Sequence, residues 1–254
     1  MTTPALVLVA HGTRSTRGVE MIAALAEAVT RELGAAISGR GGEQPEAVAT
    51  APVRTAFVDV LGPSPSEVLR DLHATSESVP AVVVPAFLAS GYHVYQDVPR
   101  EVAESGHPAV AVTPAMGPDP ALARIMKMRL RAAGWQPGDA VVFAAAGSSD
   151  ARARKDVRRA AAMLAERLGE RVRIGYVATG APRVAEVVAS LRESGAERVF
   201  IASYLLAHGL FQQRLHEAGA DGVAEPIGVH PAVVRLIADR YRTAARELVQ
   251  THVR

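Results

Sequence analysis

The stretch Val7-Leu8-Val9-Ala10-His11-Gly12-Thr13 is an apolar run that ends on a histidine. Val142-Phe143-Ala144-Ala145-Ala146-Gly147-Ser148 repeats it with alanine in the histidine's place. A second pair follows the same rule, Thr55-Ala56-Phe57-Val58-Asp59 against Ile174-Gly175-Tyr176-Val177-Ala178. A third sets Phe87-Leu88-Ala89-Ser90-Gly91-Tyr92-His93 against Tyr204-Leu205-Leu206-Ala207-His208-Gly209-Leu210. The chain therefore reads as two copies of one unit. Two imidazoles and a carboxylate in the first copy face two alanines and a leucine in the second. That asymmetry predicts one working site for a metal or a proton, and one retired site.

Outward from these stretches, apolar β-branched runs alternate with amphipathic helical segments, the pattern of βαβ units on a parallel sheet. In the first copy strands are predicted near Leu6–Ala10, Arg54–Val58, Ala81–Phe87 and Val110–Thr113. Helices are predicted over Gly18–Leu33, Ser66–Thr75, Val98–Glu104 and Pro120–Ala133. The second copy repeats this with strands near Ala140–Ala145, Arg173–Val177, Arg198–Ser203 and Gly222–Glu225, and helices over Ala151–Leu168, Pro182–Ser194, Phe211–Ala218 and Pro231–Val249. Ser64-Pro65-Ser66-Glu67 is a helix start, and Pro120 suits a first helical turn. The expected fold is α/β, with two similar lobes, each a mostly parallel four-stranded sheet flanked by helices. The active-site cleft is expected between them. Residues 1–134 form the catalytic lobe in this reading and 138–254 the degenerate repeat, with Trp135-Gln136-Pro137-Gly138-Asp139 as the hinge. The first copy carries about 16 extra residues between Gly34 and Phe57, Gly-rich and aperiodic, read as a surface loop.

Composition narrows the class. At 254 residues, 49% hydrophobic and 21% charged, the chain can bury a sizeable core. Few aromatics and many alanines suit close helix–sheet packing. There are no cysteines, which excludes disulfides, thiolate zinc sites and cysteine-held iron–sulfur clusters within the chain. No run is long and apolar enough for a membrane span, and Met-Thr-Thr-Pro lacks the basic start of a signal peptide, so no membrane association and a cytoplasmic location are expected. A net charge of +2 suits an anionic substrate but gives no argument for nucleic acid.

His11, Asp59 and His93 fall at, or just past, the ends of the first three predicted strands. In an open parallel sheet that is where ligands bind, and strands about 4.8 Å apart can bring three side chains to one point. A His/carboxylate/His set can hold Fe²⁺, Co²⁺, Ni²⁺ or Zn²⁺, and a neutral imidazole can also take a proton. His73 (on a helix), His107 (before Pro108), His216 and His252 are read as structural or surface residues. His208, in the counterpart of the His93 loop, faces either the cleft or its own lobe. Walker, G-x-G-x-x-G and G-x-S-x-G motifs are missing. Gly12-Thr13 and Gly147-Ser148-Ser149 are candidate anion cradles at the helices that follow.

Together, Ala10-His11-Gly12-Thr13-Arg14-Ser15, A-F-V-Asp59 with the P-S-x-x-E helix after it, and F-L-A-S-G-Y-His93-V-x-x-D-V-P resemble the sirohydrochlorin chelatases, of the ATP-independent class II chelatases. The resemblance spans nearly the whole chain, in the long, internally duplicated form. It implies a lyase-type chelatase that inserts a divalent metal into sirohydrochlorin, with Fe²⁺ for sirohaem or Co²⁺ for a cobalamin precursor. The metal (Fe²⁺, Co²⁺ or Ni²⁺) enters as substrate, with no tightly bound cofactor and no ATP. By position His11 and His93 match the family's metal-handling histidines, and Asp59 stands where the family commonly has glutamate. The iron–sulfur motif and histidine-rich tail of some members are not present. The resemblance further implies His11 as ligand and base, His93 as ligand and partner, and Asp59 as the carboxylate that binds the ion or orients an imidazole. Arg14, Ser15, Arg54, Ser90, Gly91 and Tyr92 are the expected contacts to the carboxylates of the macrocycle. A monomer would supply two lobes through the duplication. A non-catalytic metal or tetrapyrrole carrier is the alternative. A histidine phosphatase wants an arginine before the histidine, and here Ala10 stands there.

Overall fold

The computed structural model describes residues 3–38, 51–74 and 78–251. The expected Gly-rich loop lies mostly outside these residues, as does His252. The chain forms β1 (Ala5–His11), α1 (Thr16–Ser38), β2 (Val53–Val58), α2 (Pro65–His73), β3 (Ala81–Pro85), a one-turn π-helix (His93–Asp97), α3 (Val98–Ser105), β4 (Val110–Val112) and α4 (Pro120–Ala132). It continues with β5 (Ala140–Gly147), α5 (Ala151–Leu168), β6 (Val172–Thr179), α6 (Val184–Glu193), β7 (Val199–Tyr204), α7 (Leu210–His216), β8 (Gly222–Val223) and α8 (Pro231–Thr251).

Two parallel four-stranded sheets result, ordered β2-β1-β3-β4 and β6-β5-β7-β8. The central strands β1, β3, β5 and β7 are apolar almost throughout because both faces of a parallel sheet are covered. Along β1 and β3 the side chains alternate between two cores. Leu6, Leu8, Val82 and Val84 enter a large central core, while Ala5, Val7, Ala81 and Val83 face α2 and α3 on the outside. In the second sheet Val141, Phe143, Phe200 and Ala202 enter that same central core, and Val142, Ala144, Val199 and Ile201 face a separate outer one.

The central core owes its unity to an exchange of helices. Helix α8 packs on β3, β4 and α1, although it follows the second sheet in sequence, and α4 packs on β7 and α5. The hydroxyl of Tyr241 on α8 donates to the carbonyl of Pro4 at 2.6 Å, and Arg240 donates to Met116 O at 3.1 Å. Trp135, between α4 and β5, is buried in the core, and its indole N–H reaches Asp139 O across a closed turn.

Local signals carry the helix starts. Ser64 caps α2 in a reciprocal box with Glu67, and Asp119 caps α4 ahead of Pro120. One end differs from expectation. Gly169 stops α5 in a left-handed conformation, φ 74°, whereas α1 runs through the corresponding Gly34 to Ser38. The Ala-Ala-Ile that follows Gly34 consists mainly of good helix formers, enough to carry one glycine.

Candidate metal centre

The site is built at the carboxyl ends of β1, β2 and β3. His11 is the last residue of β1, in register with Val58 of β2. The strands stay paired one step further, with Gly12 N–H donating to Val58 O at 2.9 Å. Gly12 is required there, since a Cβ at this position would collide with the carbonyl oxygen of Asp59. Asp59 itself adopts a left-handed conformation, φ 60°, and so does Val60, φ 59°. Aspartate tolerates this region; a β-branched residue adopts it rarely. Two such residues in succession turn the chain sharply as it leaves β2, the kind of local strain that collects at functional sites. His93 opens the π-helical turn that leads into α3, and π-turns recur at such sites too.

These elements bring the three residues together. Nε2 of His11 and Nε2 of His93 each lie 3.7 Å from Oδ2 of Asp59, and the three ligand atoms fall within 4.8 Å of one another. The imidazoles meet edge to face with centroids 5.0 Å apart, and Phe87 stacks on His93. Neither 3.7 Å approach is a hydrogen bond. Each ring spends its other nitrogen elsewhere. Nδ1 of His11 donates to Gly12 O at 2.8 Å, and Nδ1 of His93 to Asp97 Oδ2 at 2.7 Å. Both partners accept only, so in the neutral form of each ring Nε2 is the atom that offers a lone pair. Two imidazole nitrogens and a carboxylate oxygen thus converge on one volume. Ligands at about 2.0–2.2 Å from one ion stand roughly 3–3.6 Å from each other, so a bound metal would draw the three atoms closer together. The centre is open: the His11 and Asp59 side chains are 51% and 58% exposed. A cavity of about 360 Å³ adjoins it, lined by Asp59, Val60, Ser64, Asp97 and Arg100 among others.

Of the expected substrate contacts, Ser90, Gly91 and Tyr92 lie in the loop that precedes His93, with Tyr92 exposed and edge-on to the His93 ring. Arg14 and Ser15 lie in the β1–α1 loop directly after His11, with Arg14 exposed. Arg54 is the exception. It pairs in register with Val7 at the far end of β2, five residues from Asp59, or about 16 Å along an extended strand. Asp97 and Arg100 were missed, although the four-residue spacing from His93 to Asp97 is visible in the sequence. Their ion pair measures 3.0 Å. Asp156 was missed as well. Its carboxylate accepts the Ser90 N–H at 2.9 Å from the other half of the chain, a contact that leaves no local signature.

The second half closes over the first at this end. Gly91 faces Ala153 and Ser148, Gly18 faces the carbonyl of His208, and Gly209 faces Thr13 and Ser15. The His208 ring bonds Glu225 of its own half at 2.9 Å. The counterparts Ala146, Ala178 and Leu210 offer no ligand atom.

The CbiX family model matches the chain twice, over residues 5–133 and 140–244. Solved structures of the same fold include SirB from Bacillus subtilis with Fe³⁺, 23% identical, covering 98% of each chain with a TM-score of 0.76. They also include the sirohydrochlorin chelatase SirB from Bacillus subtilis subspecies spizizenii in complex with cobalt, 22% identical over 96% of each chain, TM-score 0.70. CbiX, described as the terminal enzyme for biosynthesis of siroheme in denitrifying bacteria, is 25% identical over 94% of this chain and 99% of its own, TM-score 0.66. No curated protein sequence matches.

Proposed function

This chain belongs to the CbiX family, and from that membership and the geometry above we propose that it is a sirohydrochlorin chelatase, inserting Fe²⁺ or Co²⁺ into the macrocycle. The observation that carries the reading is the convergence of His11, Asp59 and His93 on one open volume at the mouth between the two halves. The metal is a substrate, held by these three side chains before transfer. Residues 1–134 supply the chemistry, and residues 138–254 supply the opposing wall, having kept the frame without the ligands.

As metal enters, the macrocycle gives up two pyrrole protons. A neutral imidazole near its reference pKa of about 6.5 can accept one at physiological pH. His11 takes that role. Its Nε2 faces the centre and its Nδ1–H is anchored on Gly12 O, so a released lone pair can receive the proton without the ring turning. The second proton leaves to water through the open side of the centre, while His93 serves as ligand and partner and Asp59 supplies the carboxylate. Arg14, Ser15 and the Ser90-Gly91-Tyr92 backbone would meet the carboxylates at the rim of the macrocycle. Metal–nitrogen bond formation drives the step, so no nucleotide is required. The reaction takes place in the cytoplasm, and the duplicated chain works as a monomer, since both walls of the cleft come from one polypeptide. Among the described residues no helix is long and apolar enough to cross a membrane.

The test is an anaerobic spectrophotometric assay with sirohydrochlorin and Fe²⁺, Co²⁺ or Ni²⁺ in turn. Many metallated products per chain are expected from the intact protein, and none from a folded His11→Ala variant. A single product per chain would instead identify a metal carrier.

A further inference from the structure

We propose that Asp97 and Arg100 together set the tautomer of His93, with Arg100 deciding which atom of residue 97 faces the imidazole. The proposal rests on His93 being a metal ligand. Asp97 closes the π-turn that His93 opens and is only 8% exposed. One carboxylate oxygen, Oδ2, accepts from Nδ1 of His93 at 2.7 Å. The other, Oδ1, accepts from the Arg100 guanidinium at 3.0 Å. The two oxygens are thus spoken for separately, one by the ring and one by the cation.

An aspartate serves both partners equally, because either oxygen accepts. An asparagine cannot. Arginine has donors only, so the amide oxygen of Asn would turn toward Arg100 and its NH₂ toward His93. Nδ1 would then have to accept, the ring hydrogen would move to Nε2, and the atom aimed at Asp59 would become a donor. The most conservative replacement at residue 97 therefore inverts the ring, while removing the carboxylate altogether leaves it free to choose. Partners of this kind behind a ligating histidine are worth about 10–100-fold in metal affinity or activity. Asp97 and Arg100 act on the centre through the His93 ring. They are positioning residues.

The experiment compares the intact protein with Asp97→Asn, Asp97→Ala, Arg100→Leu and the Asp97→Asn/Arg100→Leu double variant. Long-range ¹H–¹⁵N NMR reads the His93 tautomer in metal-free protein, Co²⁺ titration reads affinity, and metallation of sirohydrochlorin reads turnover. Hydrogen on Nδ1 is expected in the intact protein and in Arg100→Leu, and on Nε2 in Asp97→Asn. That variant is expected to lose about 10–100-fold in Co²⁺ affinity, more than Asp97→Ala. The double variant is expected to recover most of the loss, since its amide is free to turn over. Circular dichroism confirms that each variant is folded. Hydrogen remaining on Nδ1 in Asp97→Asn, or a folded double variant no better than the single one, would overturn the proposal. If His93→Ala binds Co²⁺ as well as the intact protein, it is the ligand reading that fails, while the tautomer spectrum still judges the positioning role.

Discussion

The carboxylate of Asp156 accepts a hydrogen bond from the backbone N–H of Ser90 at 2.9 Å, joining the two halves of an internal repeat. Beside it the Arg152 guanidinium lies 4.0 Å above the Tyr95 ring, and Ala153 meets Gly91. Three contacts from the first two turns of α5 thus let the second half grip the segment that carries His93. A hydrogen bond to a charged acceptor contributes about 1.5–3 kcal/mol. Asp156→Ala should therefore speed amide hydrogen exchange across residues 88–97 and weaken Co²⁺ binding by up to about tenfold, the equivalent of about 1.4 kcal/mol. Unchanged exchange in that segment would show that α5 does not hold it.

Gly12 and Gly147 occupy equivalent turns, and each leaves no room for a methyl group. A Cβ at Gly12 would strike Asp59 O, and one at Gly147, which also has φ 97°, would strike Thr179 O. Either alanine should cost at least ~2 kcal/mol in urea unfolding. Only Gly12→Ala displaces a proposed ligand, so it alone is expected to abolish Co²⁺ binding in protein that remains folded. Gly147→Ala should bind metal normally below its melting temperature.

Arg14 follows the site directly and Arg54 lies at the far end of β2. Arg14→Ala should raise KM for sirohydrochlorin by several-fold, with kcat held within about twofold, the signature of lost uniform binding. Arg54→Ala should match the parent protein in both. A rise in KM for Arg54→Ala would mean that the macrocycle reaches a surface remote from the centre.

Acid should weaken the fold through His107. Burial holds its imidazole below the ordinary range, and His73 nearby adds to this against the opposing bond to Val79. Nε2–H donates to Val79 O at 3.0 Å and Nδ1 accepts from Ala109 N–H at 3.1 Å, so protonation would break the second bond. The unfolded chain takes up that proton near pH ~6.5; the folded chain resists it. The stability contributed is present above that value and is lost as pH falls through the lower folded one. His107→Gln should flatten this limb in urea titrations between about pH 5 and 7.5. An unchanged slope would assign the acid sensitivity elsewhere.

Much of this was legible before any coordinates. Apolar runs closed by His11 and Asp59 marked strand ends, because a strand buried on both faces has to be apolar until it leaves the sheet. Ser64 and Asp119 announced their helices through capping chemistry that is local in sequence. What escaped was non-local or finely positional. Asp156 meets Ser90 only after both halves have packed. Arg54 falls at the opposite end of β2 from Asp59, a separation that a list of candidate contacts does not convey. The left-handed turn at Asp59-Val60 carries no glycine to betray it. Pairing of α8 with the first sheet is invisible to any pattern, since its amphipathic face would suit either sheet.

That last pairing bears on how the halves could exist apart. With α8 laid on β3 and β4, and α4 on β7, cutting the chain near Trp135 would strip each sheet of the helix that shields it. A half-length fragment could hide its exposed face only by trading helices with a second fragment, so it would assemble reciprocally or not at all. The intact polypeptide is, in effect, such a swapped pair with its two members tethered. Tethering lets the two members differ, with His11, Asp59 and His93 in one and Ala146, Ala178 and Leu210 in the other, a difference that a symmetric dimer of identical halves could not hold.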